Sequence, residues 1–225
     1  GIQLPADLFL LRVLLYRGDG RQFHLLQNGI QPLPQRCGEL CPQFHLSLQS
    51  GCTATLRRMR RVYTAEQYAQ VVDQLRAAYG ERPVSFTTDC ICGFPGETAE
   101  DFEETMSLVE RVRYDAMFTF IFSPREGTPA AAMPDPVSRE EKQAWFDRLV
   151  ETANAISGEK HREYIGKRLR VLVDGETGRG EYNLSARTNG GRLVHLKGGP
   201  ELVGSFIEAE ITDGNTWALY GVPAE

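Results

Sequence analysis

The chain has 225 residues, 41% hydrophobic and 24% charged, and its 25 lysines and arginines against 30 aspartates and glutamates leave a formal net charge of −5. This composition excludes collagen-like, coiled-coil and wholly disordered chains and argues against bulk nonspecific binding of nucleic acid. The longest apolar stretches, Leu8 to Tyr16 and Ala116 to Phe122, fall far below the roughly 20 residues that span a bilayer, so no membrane partner is expected.

No secretory signal is legible after Gly1, which reads as a trimmed N-terminus or a piece of a longer protein. An odd count of 5 cysteines does not suit a secreted disulfide framework and points to a reducing cytoplasm. Cys37 and Cys41 have a spacing that could share a metal, but no second Cys or His pair offers the other ligands.

In chain order, residues 1–40 read as a helix followed by irregular chain. Phe44 to Leu48 alternates like a strand and ends at Gln49-Ser50-Gly51. Thr64 with Gln67 predicts a capping box, opening a helix whose stripe of Tyr68, Val71, Val72, Leu75 and Tyr79 stops at Gly80. Val84 to Cys92 reads as a strand covered on both faces, closed by Gly93-Phe94-Pro95-Gly96. Thr98 then caps a second helix, with acidic residues in its first turn and Phe102, Met106, Val109 and Val112 as its buried stripe. Ala116 to Phe122 is expected to be a third buried strand, and Ser138 with Glu141 opens a long helix to about Tyr164.

Strand, helix, strand, helix, strand implies a parallel sheet with right-handed crossovers. From about Gly166 the texture changes to five short alternating runs separated by glycine-rich turns, which suggests a small five-stranded barrel of the oligonucleotide-binding type. The fold class is therefore α/β: a parallel sheet with its helices up to about residue 165, then a small all-β barrel over residues 166–225, with residues 1–40 the least readable part.

Three successive strands end in polar or glycine turns on one edge, where α/β sheets bind ligands. Gln49 and Ser50 can contact a ribose or a carboxylate, or Ser50 and Gly51 can simply make the turn. Gly93 to Glu97 can offer backbone N–H groups to a polar ligand, with Glu97 pairing an amine or hydroxyl, or it can be an ordinary strand-to-helix turn. Ser123 and Arg125 close the third strand, Arg125 being a candidate for stacking on a base or holding a carboxylate. In the tail, Lys167, Arg168, Arg170, Arg187, Arg192, His195 and Lys197 intersperse with Tyr182 and Trp217, a mixture that suits phosphates and stacked bases, or a solvated charged face.

The run His45 to Gly51 (HLSLQSG), with Thr88 to Thr98 (TDCICGFPGET) and Phe120 to Ala130 (FIFSPREGTPA), resembles three consecutive strand ends of the tRNA methylthiotransferases of the radical S-adenosylmethionine superfamily. Arg187 to His195 and Thr216 to Gly221 are similar to that family's C-terminal TRAM domain, and the resemblance covers about four fifths of the chain. It implies a radical-SAM-type half barrel followed by a TRAM domain. The implied reaction adds a methylthio group to C2 of a modified adenosine beside the anticodon, with S-adenosylmethionine and two [4Fe–4S] clusters as cofactors of the full-length enzyme.

By the same resemblance Gln49, Ser50, Gly93, Glu97, Ser123 and Arg125 would border the cofactor, and Lys167, Arg168, Arg187, Arg192, Lys197 and Trp217 would meet the tRNA anticodon stem-loop. An N-terminal half carrying the cluster cysteines, or an electron donor, would be a further partner. The tail and FSPREGTPAA look most like the enzyme acting on N6-isopentenyladenosine, whereas CPQFHLSLQSGC looks more like the one acting on threonylcarbamoyladenosine. The family's cluster loop, Cys-x-x-x-Cys-x-x-Cys, is absent, so no cluster is expected in this chain, and a noncatalytic tRNA-binding remnant is the alternative. Cys90 and Cys92 read as small hydrophobes on a buried strand.

Overall fold

A computed structural model of the chain describes residues 14–17, 22–24 and 40–224 except 179. Two strands, β1 (Leu14–Arg17) and β2 (Gln22–His24), form an antiparallel pair where the sequence suggested a helix, and β1 also pairs antiparallel with β3 (Leu40–His45). A short apolar run does not distinguish a strand from a buried helical turn by period alone. The rest of that expected helix, and Cys37, lie outside the described residues.

From β3 onward the parallel pattern holds. The short helix α1 (Thr53–Arg58), α2 (Ala65–Tyr79), β4 (Ser85–Cys92), α3 (Ala99–Val112), β5 (Ala116–Ile121) and α4 (Arg139–Arg162) follow, and the sheet order is β2-β1-β3-β4-β5. Both β3–β4 and β4–β5 are parallel. The caps are those the sequence announced: Thr64 with Gln67 and Thr98 with Asp101 form complete capping boxes, and Ser138 accepts from the Glu141 N–H at 3.1 Å. The helix-facing sides of the strands, including Phe44, Phe86, Cys90 and Cys92, pack with the α2 and α3 stripes into one core.

The third strand departs from expectation. Instead of being buried on both faces, β5 alternates, with Phe118 56% and Phe120 52% exposed. It is the last strand of the sheet, and only the side bearing Met117 and Ile121 packs on the core. Its other side continues the face of His45, Thr87 and Asp89, since Thr87 is level with Ala116 and Asp89 with Phe118. On that open face the Ser47 hydroxyl donates to Asp89 at 2.8 Å, and His45 lies 3.1 Å from the same carboxylate and 2.9 Å from the Thr87 hydroxyl.

The second unit is a closed barrel, β10-β8-β7-β6-β9, from β6 (Arg168–Glu176), β7 (Leu184–Thr188), β8 (Leu193–Leu196), β9 (Phe206–Gly214) and β10 (Leu219–Pro223). Its pairs are antiparallel except β8–β10. Alternate residues point inward, and Val171, Val173, Leu184, Ala186, Val194, Leu196, Ala209, Ile211 and Leu219 fill it. The barrel rests on the sheet at the start of the parallel strands. Gly191, at φ +75°, sits so close to Gln43 of β3 that a Cβ there would lie 2.1 Å from its Oε1.

Candidate functional site

Gln49, at the end of the first parallel strand, adopts a left-handed φ of 67°, unusual for a residue with a side chain. Its backbone bridges to β4, donating to Asp89 O at 2.9 Å and accepting from Ile91 N at 2.8 Å, and its Oε1 accepts from Arg61 at 3.1 Å. Strain of this kind persists only where the surroundings over-determine it, and it gathers at ligand sites.

Ser50 lies differently from Gln49. Its hydroxyl is fully buried, accepts from Cys52 N at 3.1 Å and lies 3.2 Å from the Thr105 hydroxyl, so it fastens the turn to α3. The absence of a side chain at Gly51 permits that approach, because a Cβ would fall 2.5 Å from Thr105 Cα.

Glu97 folds back on its own turn. Its Oε2 accepts from the N–H of Gly93 at 2.6 Å and of Phe94 at 3.2 Å, while Oε1 is buried with no hydrogen-bond partner. Burial pushes its carboxyl up to about 7, against the two N–H groups that favour the ionised form. Gly93 takes φ +70°, and a Cβ there would strike the Lys142 stem at 2.7 Å. Ser123 and Arg125 are exposed on the third strand end, where the Arg125 carbonyl accepts from the Thr128 hydroxyl at 2.7 Å.

These strand ends border an open cleft of about 270 Å³, lined by Gln49, Ile91, Phe94 and Phe122 together with Arg58, Arg60, Arg61 and Met133. Phe94 and Phe122 meet edge to face at 4.9 Å. Of the six residues picked from sequence at the strand ends, Gln49 lines the cleft, Gly93 and Glu97 shape its rim turn, Ser50 is turned inward, and Ser123 and Arg125 are exposed beyond Phe122 and outside the lining. The arginines were missed. Their signal was the run Arg57-Arg58-Met59-Arg60-Arg61 directly after the first strand end, a local charge block against a net acidic chain. Arg58 is held by Asp101 at 2.5 Å and by Thr55 at 2.7 Å.

The thiols do not make a ligand set. Cys52, Cys90 and Cys92 are buried, and burial raises Cys52 to about 11, Cys92 to about 12 and Cys90 further, so none is a ready thiolate. Cys41 is half-buried and likewise raised. Among the described residues no three His, Cys, Asp or Glu side chains converge to hold a metal, so these residues do not fit an iron–sulfur cluster. The cleft's donor set does fit S-adenosylmethionine, with guanidinium groups for a carboxylate and an apolar floor for a purine.

On the barrel, Lys167, Arg168 and Arg187 are exposed, with Lys167 5.3 Å over the Tyr164 ring and Arg187 paired with Asp174 at 3.3 Å. Lys197 pairs with Glu181 at 2.5 Å and lies 4.9 Å over Tyr182, whose ring meets Tyr220 at 5.0 Å; Tyr220 in turn faces His195. Trp217 is 72% exposed. Arg192 is a correction: expected on an RNA-binding face, it is 8% exposed and ion-paired with Asp115 of the sheet unit, because its strand start lies in the contact between the two units.

Residues 3–109 match the radical SAM superfamily model and residues 162–224 the TRAM domain model. The chain carries radical SAM and TRAM domains. It is 44% identical to the tRNA-2-methylthio-N(6)-dimethylallyladenosine synthase of Clostridium botulinum (strain Langeland) over 83% of this chain and 41% of that protein. Proteins of the same name from Clostridium novyi and Oceanobacillus iheyensis are 43% and 44% identical over 82% and 84% of the chain, covering 40% and 36% of theirs. The chain thus spans about two fifths of the length of the curated relatives it matches. The radical SAM match implies S-adenosylmethionine and iron–sulfur chemistry for the family, and no helix among the described residues is long and apolar enough to cross a membrane.

Proposed function

We propose that this chain is the C-terminal part of a tRNA methylthiotransferase acting on N6-dimethylallyladenosine, with residues 41–165 as its half barrel and residues 166–225 as its RNA-holding TRAM domain. The carrying observation is that two strand ends within the radical SAM match and the next strand end after it line one cleft whose arginines and aromatic floor suit S-adenosylmethionine. When bound beside a [4Fe–4S] cluster, that cofactor supplies a carbon radical; in this reading both clusters, including the sulfur-donating one, are held by cysteines outside these residues.

This chain's residues bind and orient. Arg60 and Arg61 hold the cofactor carboxylate, Phe94 and Phe122 floor its purine, and Gln49 is fixed by Arg61 as a directional donor and acceptor. Gly93, Glu97, Ser123 and Arg125 shape the rim. Lys167, Arg168, Arg187, Lys197 and Trp217, with Tyr182 and Tyr220, hold the anticodon stem-loop by phosphate contacts and stacking. The names of the relatives support the dimethylallyl substrate over the threonylcarbamoyl one. A reducing, cytoplasmic setting agrees with free thiols and a tRNA partner.

The test is fluorescence anisotropy of a labelled anticodon stem-loop across a salt series, with S-adenosylmethionine titrated separately. Steeply salt-dependent RNA binding, and cofactor binding weakened in Arg61→Ala but RNA binding unchanged, is the expected result. RNA affinity indifferent to salt, or cofactor affinity indifferent to Arg61, would overturn the assignment.

A further inference from the structure

The barrel is docked at the wrong end of the sheet to touch the cleft. Gln43, Ser85 and Asp115, which meet it or pair with it, precede or begin the parallel strands, whereas Gln49, Phe94 and Phe122 follow their far ends. From Ser85 to Cys92 the strand rises roughly 23 Å. RNA held on the barrel therefore reaches the cleft along a lever, and a tilt of ten degrees at the joint moves its end by about 4 Å over that length. A misplacement of about 1 Å is enough to cost a reaction roughly a hundredfold.

The joint itself is a buried charge cluster. Asp115, 4% exposed at its side chain, accepts from Arg192 of the barrel, from Lys160 of α4 at 2.7 Å and from the Phe86 N–H at 2.7 Å. Lys160 also donates to the Arg113 carbonyl at 2.9 Å. The Arg192 guanidinium lies 4.7 Å over the Tyr164 ring. The Ser157 hydroxyl lies 3.0 Å from the Asp115 carbonyl and 2.7 Å from the Thr216 carbonyl of the β9–β10 hairpin. Two cations and one carboxylate withdrawn from water gain little net stability over an apolar contact, and in several proteins a buried group of this kind serves instead to fix one arrangement.

We infer that Asp115 and Arg192 are positioning residues: their buried pair, flanked by Lys160 and the Ser157 bridge, fixes the angle between barrel and sheet, so that RNA gripped by one unit is presented to the cleft of the other. The part of this inference that concerns RNA rests on the proposed function; the fixed joint does not.

Arg192→Met tests it, because Asp115 keeps Lys160 and the Phe86 N–H. Small-angle scattering of the chain should show a broader distance distribution and a larger maximum dimension than wild type, with each unit's circular dichroism unchanged. The salt slope for the anticodon stem-loop should stay the same, since a buried side chain contacts no phosphate. In the full-length cofactor-loaded protein, tRNA modification should fall tenfold or more in kcat while cleavage of S-adenosylmethionine without tRNA is unchanged.

An unaltered distance distribution overturns the inference. So does a salt slope lowered by about one, which would make Arg192 a phosphate contact. Should Arg192→Met not fold, Ser157→Ala removes only the bridging hydroxyl and is judged by the same scattering criterion. If wild type binds no tRNA, the proposed function fails, and scattering alone still decides the joint.

Discussion

The two units of this protein solve the same problem differently. The barrel closes on itself, so each of its five strands has two neighbours and its apolar residues fill a sealed interior. The parallel sheet buries one face under helices and leaves the other open, with Phe118 and Phe120 at its edge and a polar cluster of His45, Ser47, Thr87 and Asp89 beside them. A closed barrel removes strand edges, whereas an open sheet keeps an edge and a face available. Polarity differs as well: among the described residues the side chains that fill the barrel are apolar, while the joint between the two units holds three charges.

The comparison breaks first at the joint. Asp115→Asn strands Arg192 and Lys160 as buried cations without a counter-charge, and should lower unfolding free energy by about 3–5 kcal/mol in urea titration. Leu196→Ala in the sealed barrel should cost about 2–5 kcal/mol by the same measurement, since the cavity is enclosed on all sides.

Glu97 offers a pH-dependent contrast. Its carboxyl is raised in the folded chain from the ordinary 4.5 to about 7, so the folded state holds the proton more tightly. The associated stability is full below pH 4.5 and is lost as pH rises through 7, up to about 3 kcal/mol. Chemical denaturation from pH 4 to pH 8 should show this decline in wild type and a flatter profile in Glu97→Gln.

Thr98→Ala removes the α3 cap and should cost about 1 kcal/mol. At the small end, Phe120→Ser on the open face should change stability by less than about 0.5 kcal/mol, the opposite of a core phenylalanine. A loss of several kcal/mol there would mean that the face is covered within this chain.

The sequence by itself determined α2, α3 and α4 and their starts, because the caps at Thr64, Thr98 and Ser138 and the apolar stripes behind the first two are local and need no partner to be recognised, whereas the short α1 gave no such signal and the helix expected before residue 40 is strand where it is described. It also located the barrel strands, whose alternation and glycine turns repeat at short range, and the three strand ends. Only the tertiary structure decided which faces those residues take. The exposure of β5 follows from its place at the sheet edge, which a run of apolar residues does not encode. Ser50 turns inward because Thr105, 55 positions away, offers its hydroxyl, and Arg58 joins the cleft rim through Asp101 on another helix. Arg192 is the sharpest case: in sequence it is one of many tail cations, and its burial depends on Asp115, 77 positions earlier. Periodicity is set by neighbours along the chain, but the environment of a charge is set by whatever the fold brings beside it, and electrostatic roles are therefore the last to be readable from sequence.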